Sequence, residues 1–121
     1  MSQEQWQQLL SQAIDSQLEF DHDGMAGVIL PDLGLYLGWI WQQDGLTLYA
    51  PLGQVSDPTL LQDMLSANAF WRQTQGATLS LYDRDQALLA LALQPDQAPQ
   101  IAHIYNQFLD SAQHWQQKLA A

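Results

Sequence analysis

The chain has 121 residues, 47% hydrophobic and 13% charged, with no cysteine and thirteen acidic against three basic side chains, a formal net charge of -10. That length predicts one domain over residues 1–121, which buries roughly two-thirds of its unfolded surface and needs neither disulfide nor metal to fold. The lack of cysteine excludes a disulfide framework and a thiolate zinc site. Arg72, Arg84 and Lys118 form no cluster that could neutralise nucleic-acid phosphates or hold an anionic bilayer.

No basic, apolar leader pattern and no apolar run of membrane-spanning length is seen, so a cytoplasmic location without membrane insertion is expected. The acids are scattered singly between Glu4 and Asp110. The plain reading of such a distribution is solubility and protection against self-association; the alternative is attraction to a basic partner segment.

Trp6, Leu9, Leu10, Ala13, Ile14 and Leu18 recur at helical spacing and predict an amphipathic helix over residues 2–18, capped at Ser2. The run Asp21-His22-Asp23-Gly24 breaks it. Three strands are predicted next, over residues 25–30, 35–42 and 46–52. Pro31-Asp32-Leu33-Gly34 and Asp44-Gly45 supply the turns between them. In the third strand Leu46, Leu48, Ala50 and Leu52 share one face and Thr47, Tyr49 and Pro51 the other, so one side should be packed and the other solvated.

A second helix starts with Asp57 as N-cap and Pro58 at the first helical position, carries Leu60, Leu61, Met64 and Leu65, and fades over residues 68–71. Strands over residues 77–82 and 87–94 follow, joined by Asp83-Arg84-Asp85. Pro95 and Pro99 then bracket the entry to a last helix running to about Leu119. The order α-β-β-β-α-β-β-α, with hairpin-linked strands, predicts an α+β fold with a largely antiparallel twisted sheet flanked by helices.

The usual signatures of catalysis are missing from the sequence. Glycines are dispersed and form no phosphate loop. His103 and His114 lie eleven residues apart on one helix, about three turns and not the i, i+4 spacing of a metal pair. His22 sits in a loop; Asp21 and Asp23 beside it suit a turn better than a cation site. Ser80 has no base near it in sequence. No catalytic residue, metal or cofactor is expected, and the chain is expected not to be an enzyme.

Apolar surface is in surplus instead. On the second strand Leu35, Leu37, Trp39 and Trp41 point to one side and Tyr36 and Ile40 to the other. Either both sides are covered within the chain, or one stays open for a partner. Leu60, Leu61, Met64, Leu65, Phe70 and Trp71 are likewise many large groups for one short element, enough for a two-fold contact as well as a core.

The run Leu65-Ser66-Ala67-Asn68-Ala69-Phe70-Trp71, followed by Gly76-Ala77-Thr78-Leu79-Ser80-Leu81, resembles the signature region of class I type III secretion chaperones, the Tir chaperone (CesT) family. The stretch Leu48-Tyr49-Ala50-Pro51-Leu52-Gly53, the element order, the size and the acidity extend the resemblance over nearly the whole chain.

The resemblance implies a homodimer in the bacterial cytosol. It would hold an effector's N-terminal chaperone-binding segment in extended form, stable and competent for secretion without ATP. The export ATPase is a further implied partner. On the same analogy Leu61, Met64, Leu65, Phe70, Trp71, Leu79 and Leu81 form the dimer interface. Trp6, Leu10, Val28, Leu30, Leu35, Leu37, Trp39 and Trp41 would bind the effector, which can also add a strand at a sheet edge. The alternative is a regulatory protein of the same fold, of anti-activator type, that couples secretion to gene expression by binding a protein partner.

Overall fold

The computed structural model describes residues 2–43 and 45–120. Its elements are α1 (Gln3–Ala13), β1 (Met25–Leu30), β2 (Leu35–Gln42), β3 (Gly45–Gln54), α2 (Pro58–Asn68), β4 (Thr78–Tyr82), β5 (Gln86–Leu93) and α3 (Ile101–Ala120). Short 3-10 turns over Ala69–Trp71 and Pro95–Gln100 follow α2 and precede α3. The five strands form one antiparallel sheet in the order β1-β2-β3-β5-β4. The α+β architecture read from the sequence is the observed one. The expected Asp44-Gly45 turn falls partly outside the described residues.

The caps form where the sequence puts them. The Ser2 hydroxyl accepts from the Gln5 N–H at 3.2 Å while the Gln5 side chain accepts from the Ser2 N–H at 2.9 Å, which satisfies two orphan donors reciprocally. Asp57 accepts from the Thr59 N–H at 2.8 Å and Pro58 opens α2. Helix α1, however, ends at Ala13 and not at Leu18. The chain turns at Asp15 (φ 53°), and the Leu18 and Phe20 N–H groups donate back to the Ser11 hydroxyl and the Gln7 side chain, both at 3.1 Å. Leu18 is buried all the same, so its place in the helical stripe is a coincidence of spacing.

Pairing across the sheet sorts its residues by face. Ala26 faces Trp39, Leu46 faces Leu93, Ala50 faces Leu89, and Leu79 faces Leu89 from the other side. These side chains are buried with Trp6 and Leu10 of α1 and with Tyr105, Phe108, Ala112 and Trp115 of α3. Helices α1 and α3 therefore cover one face, and the core lies beneath them. The buried Trp39 and Trp115 indole N–H groups have no acceptor among the described residues, so packed apolar area holds these rings. Strand β3 tolerates Pro51 because its ladder with β2 stops at Gly38–Tyr49, so no N–H is needed on that side.

This arrangement relocates the residues that the resemblance assigns to effector binding. Trp6, Leu10, Leu35, Leu37 and Trp39 are fully buried, and Val28, Leu30 and Trp41 are half-buried against the same core. They share one face, as their alternation predicts, but the chain's own helices occupy it.

Candidate protein-binding surfaces

The face away from the helices is left open and is largely apolar. Ile29 is 69% exposed, and Met25, Tyr36 and Tyr82 are each about 40% exposed. Between them runs a groove of about 370 Å³, lined by Met25, Ile40, Thr47, Tyr49, Pro51, Tyr82, Leu88 and Ala90. It crosses four strands from β1 to β5, with Tyr82 of β4 at its far end. The small side chains of Thr47 and Ala90 keep its middle low.

Two glycines shape the shallower half. Gly27, Gly38 and Tyr49 form a row across β1, β2 and β3. The Tyr49 ring lies over Gly38, where a Cβ would collide with it, and Tyr36 lies over Gly27, where a Cβ would come within 2.7 Å of its Cζ. Close approach of a ring to the backbone is a reason for glycine inside a strand, where it otherwise weakens pairing. The two rings meet at 6.3 Å, tilted by 54°. Burial, and then the hydrogen bond with Tyr36, hold the Tyr49 phenol above its ordinary value.

At the β1 corner the groove continues into a second concavity that includes Glu19, Asp21, Gly27 and Tyr36 and shares Met25 and Tyr49 with the first. Asp21 is fixed there: its Oδ1 accepts from the N–H groups of Asp23 at 2.8 Å and Met25 at 3.0 Å. These backbone bonds, that from Met25 first, hold its carboxyl below the usual carboxylate range.

The second surface is built by the signature run. Asn68, the last residue of α2, donates from Nδ2 to the Leu79 carbonyl and accepts from the Leu79 N–H at Oδ1, both at 2.8 Å. Its amide thus stands in for a missing strand neighbour and locks α2 to β4. Ala67 and Ala77 are buried beside this lock. The turn between is tied by Thr74, whose hydroxyl bonds the Ala77 carbonyl, and by the Gly76 N–H donating to the Trp71 carbonyl at 3.0 Å.

Within that frame Phe70 and Trp71 take positive φ, 63° and 55°, which costs about 1–2 kcal/mol for each non-glycine residue. The result is Phe70 87% exposed, next to the exposed Trp71, with Leu65 64% exposed on α2. Strain that the surrounding bonds over-determine, and that displays aromatic rings to solvent, points to function.

Leu81 on β4 is also exposed, and Leu61 is half-buried in a groove of about 270 Å³ that includes Val55, Pro58, Leu81 and Arg84. Of the seven residues assigned to dimerisation, Leu65, Phe70, Trp71 and Leu81 thus offer surface, Leu61 offers part, and Met64 and Leu79 belong to the core. The positions sequence reasoning passed over are Met25, Tyr82, Leu88 and Ala90 of the open face. The available signals were the predicted solvated side of β3, which holds Tyr49, and the second side of β2, with Tyr36 and Ile40.

An antiparallel sheet with one face under helices and the other open, apolar and grooved makes an α+β fold with surface left for a partner. The chain belongs to the Tir chaperone protein (CesT) family, whose model matches residues 7–116. No curated protein matches the chain in sequence.

Among solved structures, the chain is similar to one in the ExsC–ExsE complex, with a TM-score of 0.78 at 17% identity, covering 97% of this chain and 92% of that one. It is similar to one in the HopA1–SchA chaperone–effector complex, with a TM-score of 0.77 at 18% identity and 97% of both chains covered. A third match is to the Yersinia pestis type III secretion chaperone SycH in complex with a stable fragment of YscM2. There the TM-score is 0.69 at 18% identity, over 88% of this chain and 96% of that one. At such identities the likeness is one of fold.

Proposed function

We propose that this protein is a type III secretion chaperone that binds the N-terminal chaperone-binding segment of an effector in extended form in the bacterial cytosol. It acts as a homodimer of one domain, residues 1–121, without ATP, cofactor or catalysis, and hands its client to the export ATPase. The family match over residues 7–116 carries this reading. The open sheet face supports it physically. A disordered segment needs a large apolar surface to offset the entropy of ordering, and it gains main-chain hydrogen bonds if it also pairs with a free edge, here β1 or β4.

In this reading the client packs on the open face around Tyr36, Ile40, Tyr49 and Leu88, and the second protomer covers Leu65, Phe70, Trp71 and Leu81. Two faces presented to one continuous segment raise effective affinity.

The test is affinity capture of the tagged protein from its native bacterium, with light scattering of the recovered species and a secretion assay of the captured client. Recovery as a dimer with the N-terminal region of one secreted protein, whose export falls when the chaperone gene is deleted, is the expected result. A monomer without a protein partner overturns it. A deletion that changes transcription while leaving effector stability intact points to the regulatory alternative.

A further inference from the structure

The open face is chemically lopsided. Its groove lining is apolar from Tyr82 and Leu88 to Met25, and only the adjoining concavity at the β1 corner carries carboxylates, Glu19 and Asp21. Among the described residues no lysine or arginine neutralises them. Lys118 pairs with Asp63 at 3.4 Å, and Arg84 lies by Asp85 in the separate groove beside α2. The exposed His22 contacts Asp23 at 3.5 Å and also acts on Asp21 electrostatically. Asp21 is also pre-set, its Oδ1 held by two backbone N–H groups. A carboxylate already fixed in place gives up little side-chain freedom when a cation arrives.

We infer that the occupant of this face is a bipartite segment, a run of apolar side chains for the groove followed by a lysine or arginine that sits against Glu19 and Asp21. The inference rests on the open face being the client site and adds which client sequences it accepts and at which end. The apolar part supplies affinity; the basic residue fixes register and direction, since reversing the segment leaves its cation over Tyr82 and Leu88. Acidic side chains at the same place in a competing segment are repelled, which excludes it.

The test uses two short fluorescein-labelled synthetic peptides of alternating leucine and serine, one ended on both sides by arginine and its twin by glutamate. Binding to the full chain is read by anisotropy at low and high salt. The variant is Glu19→Gln with Asp21→Asn, which keeps the Oδ1 acceptor of the turn and removes both charges; its circular dichroism checks the fold. The arginine peptide is expected to bind wild type about three- to tenfold more tightly at low salt. That preference should shrink in high salt, vanish in the double variant and reverse in Glu19→Lys with Asp21→Asn. Equal binding of both peptides to wild type overturns the basic-residue requirement alone, as does a preference that survives in the double variant. Binding of neither peptide overturns the open-face reading beneath it.

Discussion

Replacing Gly38 by alanine probes how the open face is made. Gly38 has no positive φ, so alanine suits its backbone, and by restricting the unfolded chain the change alone stabilises by about 0.4–1 kcal/mol. The new Cβ, however, lands inside van der Waals contact of the Tyr49 ring that lies on it. The ring must lift. Lifting it ends the pairing with Tyr36, whose ring centroid is 6.3 Å away; such pairs contribute about 0.5–1.5 kcal/mol. Forcing the side chain off its rotamer costs about 0.5–1.5 kcal/mol more.

The balance is a net loss of about 1 kcal/mol in the wild-type background and a gain of about 0.5 kcal/mol once Tyr49→Ala has removed the ring, a coupling of about 1.5 kcal/mol. Urea unfolding of the four proteins of this cycle, at one protein concentration, measures it as shifts of midpoint at constant m-value. If Gly38→Ala has the same effect with and without the Tyr49 ring, the seated-ring account of the open face is wrong. A lifted ring also stands in the groove of the open face, so the same variant should weaken binding of the leucine–serine peptides.

Three other outcomes follow from the geometry. Asn68→Ala removes both bonds to Leu79 and should lower stability by about 1–3 kcal/mol, measured by urea midpoint; an unshifted midpoint would show that α2 and β4 are held by packing alone. Phe70→Ser with Leu65→Ser, both at exposed positions, should convert the proposed dimer to monomer in sedimentation without loss of helical signal, whereas Met64→Ala, 2% exposed, should cost about 2–5 kcal/mol as a cavity in the core. Tyr49 and Tyr105 are both raised, mainly by burial, so the folded chain holds these protons more tightly than the unfolded one. Their contribution is present below the ordinary tyrosine value of 10.0 and is lost as pH rises past it. Stability should fall above that pH, and fall less in Tyr49→Phe; equal alkaline loss in both proteins refutes the assignment to Tyr49.

What could be read from the sequence was mostly local. Strand edges were legible because alternation stops at residues with turn chemistry: Pro31 to Gly34 closes β1–β2 as expected, with Gly34 at φ 63°. The start of α2 was legible because Asp57 and Pro58 each act within one turn. The end of α1 was not, since what terminates it is a pair of bonds from Leu18 and Phe20 back to Ser11 and Gln7. The β3–β5 pairing spans α2 and β4 and has no local mark at all. The signature run mixes core with surface: Met64 and Leu65 are neighbours on α2, one buried and one exposed, and Leu79 and Leu81 share a side of β4 opposite Leu89 and Ala87, with only Leu79 fully covered.

The open face shows a different kind of limit. Period-two alternation says which residues of β2 share a side, and it grouped Leu35, Leu37, Trp39 and Trp41 correctly; it does not say which side the helices take. Assigning the richer apolar side to the client runs against the physics of a lone chain. Folding gains most from burying the greater apolar area, so α1 and α3 settle on the leucine and tryptophan side. What remains for a partner is the lesser side, where tyrosines dominate: Tyr36, Tyr49 and Tyr82 each give a ring for contact and a hydroxyl that tolerates water when the client is absent. A surface that stands exposed in the lone chain needs that compromise. The face with the weaker hydrophobic signal, edged by Glu19 and Asp21, is therefore the one the proposed function assigns to the client.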